Sequence, residues 1–348
     1  MSEHTKSLPG LAMAILLYVA FAAYLYQPYF RGFSTWQVLL PASTSLAAMG
    51  CYVLSRRWVA GFPGSFLAGL VYGFGAFMLA LGRFHPLASL LAATIPWLFM
   101  PSAYLGEKRG TLSAVLALLP FVAVLVFFLF FRFVAEYRLF AVPIQAELEP
   151  RDLMAFAAPL VLVNRAAALP SLYHIPIAPL LLGLGMMLAA KRFGVLFIIA
   201  LGVALTFCPL YLGKEQVAWV GVSPILWLSI PLTCLAVLAG VGLQGLIKAG
   251  ASDKGWVLWT GLAQAALGIG ALVLALKYSG SFFGVTDEYS RMFVAAAKIY
   301  ALGAIAIGVV FIMAVQKKRW PWLRWAVLGG TIGVDVFLSA RYIVDSVL

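Results

Sequence analysis

Residues 72–86 read YGFGAFMLALGRFHP. A glycine-rich apolar run stops at Arg83, Phe84, His85 and Pro86, and a second apolar run resumes at once. Either this polar cluster lies inside a bilayer as a reaction centre, or it marks the corner where one helix leaves the hydrocarbon and the next re-enters. The rest of the chain decides between the two. Hydrophobic residues make up 64% of its 348 positions and charged residues only 10%, with a mean hydropathy of +1.01. A soluble globule is about half apolar and about a quarter charged. No water-soluble fold hides this much apolar surface, so GRFHP reads as the outer corner between two spans of an integral membrane protein.

Apolar runs of about 20 residues cross a bilayer as helices. Eleven spans are predicted, at 9–29, 36–55, 60–82, 86–105, 111–131, 172–190, 193–212, 219–247, 255–277, 291–315 and 321–345. The expected fold class is all-α: one polytopic bundle forming a single transmembrane domain over residues 1–348. The opening segment is long and aromatic without a clear cleavage site, so it reads as the first span and not as a removed signal peptide.

The formal net charge is +12. In a soluble chain that would point to nucleic acid, but here the cations sit in short clusters between apolar runs and no DNA or RNA motif is present. Nucleic acid is therefore excluded as a partner. Every second loop is basic: Arg56/Arg57, Lys108/Arg109, Lys191/Arg192, Lys248/Lys254, then Lys317/Lys318/Arg319 with Arg324. Lys6 precedes the first span. Lysine and arginine mark cytoplasmic loops, which predicts a multi-pass inner-membrane protein with its N-terminus cytoplasmic and its C-terminus external. Most acids fall in the opposite loops, at Glu136, Glu147, Glu149, Asp152, Glu215, Asp287 and Glu288. Residues 152–164 are apolar but too short to cross. They read as a half-helix within one long external excursion over 132–171.

Small-residue spacings at Gly69–Gly73 and Gly329–Gly333 permit close helix approach. Tryptophans near the predicted span ends fit an interfacial belt. Cys51, Cys208 and Cys234 lie inside apolar runs without CxxC or Cys/His metal spacing, so they read as packing residues and no metal site is expected.

Three stretches carry a likeness to a known family. One span ends in YVLSRRW, the next reads AGLVYGFGAFMLALGRFHP, and a third holds ATIPWLFMPSAYL. A fourth segment, 223–246, reads SPILWLSIPLTCLAVLAGVGLQGL. Together these resemble the YfhO-like branch of the GT-C membrane glycosyltransferases. In that family a glycine/aromatic helix ends outside at a histidine, and the next helix carries a proline near its middle. The family also places a catalytic acid in the first external loop. Here that loop, residues 27–36, reads QPYFRGFSTW and holds no Asp or Glu, so no position inherits the acid. The resemblance implies a shortened relative without the family's large soluble domain and without transferase chemistry.

Several residues are candidates for function. Arg83 and His85, with Arg138 and Arg165 from the long excursion, form a cationic set at the external face suited to a lipid phosphate or another anion. Their bland reading is a helix exit with snorkelling arginines. His85 and His174 would be axial ligands for a b-type haem only if they faced one another at matched depth, and no cofactor is expected. Glu136, Glu147 and Asp152 are the carboxylates that a transferase would need in place of the missing acid. A solvated loop surface is the simpler account of them. Lys298 and Asp335 are the two charges placed deepest within predicted spans, about 10 Å inward from Arg291 and about 15 Å inward from Asp345 at 1.5 Å per residue. Charges at such depth seek partners, and an intramembrane ion pair between consecutive helices is expected.

Three function classes follow. The leading one is a non-catalytic, GT-C-like scaffold or accessory subunit, with membrane lipids and membrane-embedded proteins as partners. A glycosyltransferase acting on polyprenyl-phosphate-linked sugars is the second. A small-molecule transporter, motivated by Lys298 and Asp335, is the third.

Overall fold

A computed structural model describes residues 8–33, 37–56, 61–82, 86–101, 122–123, 126, 175–212, 224–278, 287–316 and 320–348. Among the described residues every regular element is helical. In chain order they are α1 (Leu8–Tyr26), α2 (Leu39–Ser55), α3 (Phe62–Gly73), α4 (Ala76–Leu81), α5 (Pro86–Leu98), α6 (Ile177–Ala189), α7 (Phe193–Leu212), α8 (Ser229–Lys248), α9 (Lys254–Tyr278), α10 (Asp287–Val315) and α11 (Pro321–Val347). Short 3-10 turns precede α8 and α9 and follow α1. Six stretches are long and apolar enough to cross a membrane: Pro9–Gly32, Phe62–Leu81, Ile225–Lys248, Ala251–Lys277, Phe293–Val315 and Pro321–Asp345. The apolar helices at 39–55, 88–98, 177–189 and 193–207 are shorter. Most of the predicted span 111–131 and all of the half-helix 152–164 lie outside the described residues.

The predicted span 60–82 is not one continuous helix. Phe74 leaves helical geometry (φ −110°, ψ 12°) and Gly75 is extended (φ −70°, ψ 156°), which separates α3 from α4. A break inside a membrane frees backbone groups that neighbouring helices must satisfy. At the far end of α4, Ser89 on α5 donates from Oγ to the Met78 carbonyl at 2.9 Å. The same logic answers Pro96 within α5. Proline has no N–H, so the Ala92 carbonyl one turn earlier loses its helical donor. The Tyr72 hydroxyl supplies one instead, at 2.7 Å.

Close packing in the core depends on missing side chains. A Cβ on Gly73 would lie 2.6 Å from the Thr44 carbonyl oxygen, and one on Gly69 would lie 2.5 Å from that of Ala48. The Gly69–Gly73 pair therefore seats α3 against α2, as its spacing predicts. Gly329 and Gly333 behave differently. A Cβ on Gly329 meets only Trp325 of its own helix, and one on Gly333 meets nothing within 4 Å. That second glycine pair seats no helix among the described residues. Trp97 also departs from the interfacial belt: its Nε1 donates to the Leu46 carbonyl at 3.2 Å, in space left by Gly50.

Four of the basic loops meet at one end of the bundle. Gly61, which follows Arg56/Arg57, packs on Gln244, one turn before Lys248. Ala189, just before Lys191/Arg192, lines a groove with Lys248 and Asp253. Arg324 on α11 reaches the carbonyls of Ile247 and Ala249. Gly10 near the start of α1 lies against Tyr52 and Phe62, at the same end. At the opposite end, Tyr29 after α1 meets Asp345 near the C-terminus. The two ends of the described chain thus lie at opposite ends of the bundle.

Candidate functional site

Helices α9 and α10 form an antiparallel pair. Ser290 donates to the Ala275 carbonyl at 3.1 Å. Further along, Gly268 faces Tyr300, Gln264 faces Gly303, and Gly261 faces Ile307. Position numbers fall on one helix as they rise on the other, which fixes the direction. Glycines at the crossing let the two backbones approach.

Where this pair meets α6 and α11, a cavity of about 130 Å³ opens. Most of its wall is apolar, with Pro176, Ile177, Leu302, Ile332 and Leu338 among the lining residues. Into this wall are set Gln264, Lys298, Tyr300, Thr331 and Asp335. Asp335 sits fourteen residues into the 27-residue α11 and is 7% exposed. Lys298 is exposed. The structure therefore places the two charges singled out from sequence, from consecutive helices, on one cavity. In low-dielectric surroundings such charges are costly unless each finds a complement.

The neutral polar groups around them are positioned by packing. Gln264 Nε2 donates to the Tyr300 carbonyl at 3.5 Å. A Cβ on Gly303 would overlap the Gln264 amide, so the glycine is what admits glutamine to this wall. Thr331 Oγ1 returns its hydrogen bond to the Val327 carbonyl of its own helix at 2.8 Å. Sequence reading missed Gln264, Tyr300 and Thr331. A lone glutamine in a 25-residue apolar helix was the available signal.

Arg324 was also read differently from sequence, as one of a cluster of loop cations. It is 2% exposed. Its Nη1 donates to the carbonyls of Ile247 at 3.4 Å and of Ala249. A helix ends with carbonyls that lack intrahelical donors and with partial negative charge. Arg324 answers both at the end of α8 and joins α11 to it.

The remaining candidates, Arg83, His85, Glu136, Arg138, Glu147, Asp152, Arg165 and His174, lie outside the described residues. Helix α4 ends at Leu81 and α5 begins at Pro86, so the GRFHP cluster falls between two helices along the chain. No protein-family model, curated protein or solved structure matches the sequence or fold.

Proposed function

We propose that this chain is a polytopic membrane protein of about eleven spans that binds, and moves across the membrane, a small solute carrying both a negative and a positive group. One observation carries the reading: Lys298 and Asp335, from consecutive antiparallel helices, line a single cavity inside the bundle. At rest the two charges complement one another. A zwitterion replaces that pairing, with its anionic group on Lys298 and its ammonium on Asp335, so that the buried carboxylate is not stranded at any stage. Gln264 and Thr331 add neutral hydrogen-bonding capacity. A volume of about 130 Å³ suits a compact solute such as an α-amino acid. The basic end faces the cytoplasm of the inner membrane in this reading, with the N-terminus inside and the C-terminus outside.

The test uses purified full-length protein. Thermal unfolding in detergent is measured across a panel of free α-amino acids, followed by uptake of any stabilising one into proteoliposomes. Stabilisation by at least one amino acid, lost in Asp335→Asn and in Lys298→Gln, supports the reading. A protein that no panel member stabilises or enters through is not this kind of transporter.

A second reading, a non-catalytic scaffold or accessory subunit, draws on the packing of α2, α3 and α8 through glycine-mediated backbone contacts. Such a rigid core suits a platform for a neighbouring membrane protein. Purification from the native host in mild detergent separates the two: a stoichiometric membrane partner together with a null result on the panel favours the scaffold.

A further inference from the structure

A second, larger cavity lies at the basic end, between α6, α8 and α9. Its volume is about 530 Å³. Leu182, Met186, Val241 and Val257 give it apolar walls, and Gly185 and Gly245 leave them shallow. A Cβ on Gly245 would already press on Leu182 and Met186, at 3.1 Å from each. Lys248, Asp253 and Trp256 also line it.

These groups differ in what they ask of a ligand. Lys248 is exposed and offers N–H donors and a positive charge. Gln244 turns its amide toward Gly61 and buries Oε1 there, out of reach of the groove. Gly61 is what lets that side chain in, since a Cβ there would overlap the amide. Asp253 is held in place by the Gly250 N–H, which donates to its Oδ2 at 2.8 Å, and it carries a negative charge. Trp256 is 64% exposed, the placement of an interfacial anchor.

We infer that this groove is a phospholipid site, and that the head group it selects carries both a phosphate and a primary ammonium. The phosphate meets Lys248. The ammonium, rich in N–H donors, meets Asp253. One acyl chain lies along Leu182, Met186 and Val241. A phosphate alone would leave the Asp253 carboxylate unanswered, and a trimethylated ammonium has no N–H to give it. This site is separate from the Lys298–Asp335 cavity, and its existence does not depend on that cavity's role.

The experiment is native mass spectrometry of the full chain, exchanged from detergent against vesicles of phosphatidylethanolamine, phosphatidylcholine or phosphatidylglycerol. Retention of phosphatidylethanolamine about tenfold above each of the others is expected, the scale of one charge-assisted hydrogen bond. Equal retention of phosphatidylcholine, or preference for phosphatidylglycerol, overturns the assignment. This comparison on the unaltered protein needs no variant to fold. Asp253→Asn should erase the preference for phosphatidylethanolamine over phosphatidylcholine, while Lys248→Arg keeps it. A preference that survives Asp253→Asn places the lipid elsewhere.

Discussion

The Tyr29 hydroxyl donates to Oδ1 of Asp345 at 2.6 Å, joining the end of the first helix to the end of the last across 316 positions of sequence. Arg341 completes the tie, with Nε donating to the other carboxylate oxygen at 3.1 Å and Nη1 to the Leu25 carbonyl at 3.5 Å. The arrangement joins the first and last helices at the end opposite the basic loops. Its Arg341 and Asp345 side chains are 35% and 43% exposed. Exposed pairs of this kind contribute about 0–1 kcal/mol. Tyr29→Phe combined with Asp345→Asn should therefore lower the apparent Tm in detergent by only about 3 °C. A drop beyond about 10 °C would show that the tie, and not the apolar packing, seats α1.

Backbone contact should matter far more. A Cβ on Gly242 of α8 would overlap the Pro179 carbonyl oxygen of α6, and one on Gly183 would overlap that of Leu238. The obstacles are main-chain atoms, so nothing can rotate aside. Gly242→Ala should cost about 1–3 kcal/mol through forced separation of the two helices. Gly270→Ala on α9, where a Cβ meets nothing within 4 Å, is the matched control. It should be neutral or stabilising by up to about 1 kcal/mol, because alanine is the better helix former. Equal effects of the two on thermal unfolding would refute the tight crossing.

Arg324 allows a sharper contrast between charge and shape. Its removal strands the Ile247 and Ala249 carbonyls at the end of α8. Hydrogen bonds from a charged donor are worth about 1.5–3 kcal/mol each when buried. Arg324→Ala should lower the folded yield and the apparent Tm, with Arg324→Lys recovering only part of the loss, since a point ammonium does not reproduce the planar fork. Full recovery by lysine would mean that only charge matters there.

Composition and the spacing of basic loops made the helical class and the common end of those loops legible, because hydrophobic length and topogenic charge are properties of consecutive residues. The Gly69–Gly73 contact was legible for the same reason. What failed to show was anything set by a neighbour far away in sequence. Gly329–Gly333 has the same spacing, yet no described helix faces it. The Phe74–Gly75 break interrupts a run that reads as one continuous apolar span. The burial of Arg324 depends on where α8 ends. Lys298 and Asp335 could be named from depth alone, whereas Gln264 joins them only because Gly303 on the facing helix makes room.

If Lys298 and Asp335 complement one another at rest, their effects must couple. Reversing one charge, as Lys298→Asp or Asp335→Lys, places like charges on one cavity and should depress folded yield. The double reversal should restore much of it, with a coupling of about 0.5–3 kcal/mol. Additive losses in the double variant, read by size-exclusion yield and apparent Tm, would mean that the two residues act independently.

The orientation of the bundle is open to a direct chemical test. Ser252 lies between Lys248 and Lys254 at the basic end, and Leu348 lies beyond Asp345 at the other. With Cys51, Cys208 and Cys234 replaced by alanine, single cysteines are introduced as Ser252→Cys and Leu348→Cys. A membrane-impermeant maleimide applied to intact cells should label the variant at position 348 and spare the one at 252. Opening the membrane should expose 252 to the reagent. The pattern follows from positive loops remaining on the cytoplasmic side, and the structure requires the two sites to differ, because they sit at opposite ends. Labelling both from outside would break the single-bundle arrangement, while labelling 252 alone would invert the protein in its membrane and place the phospholipid groove in the outer leaflet.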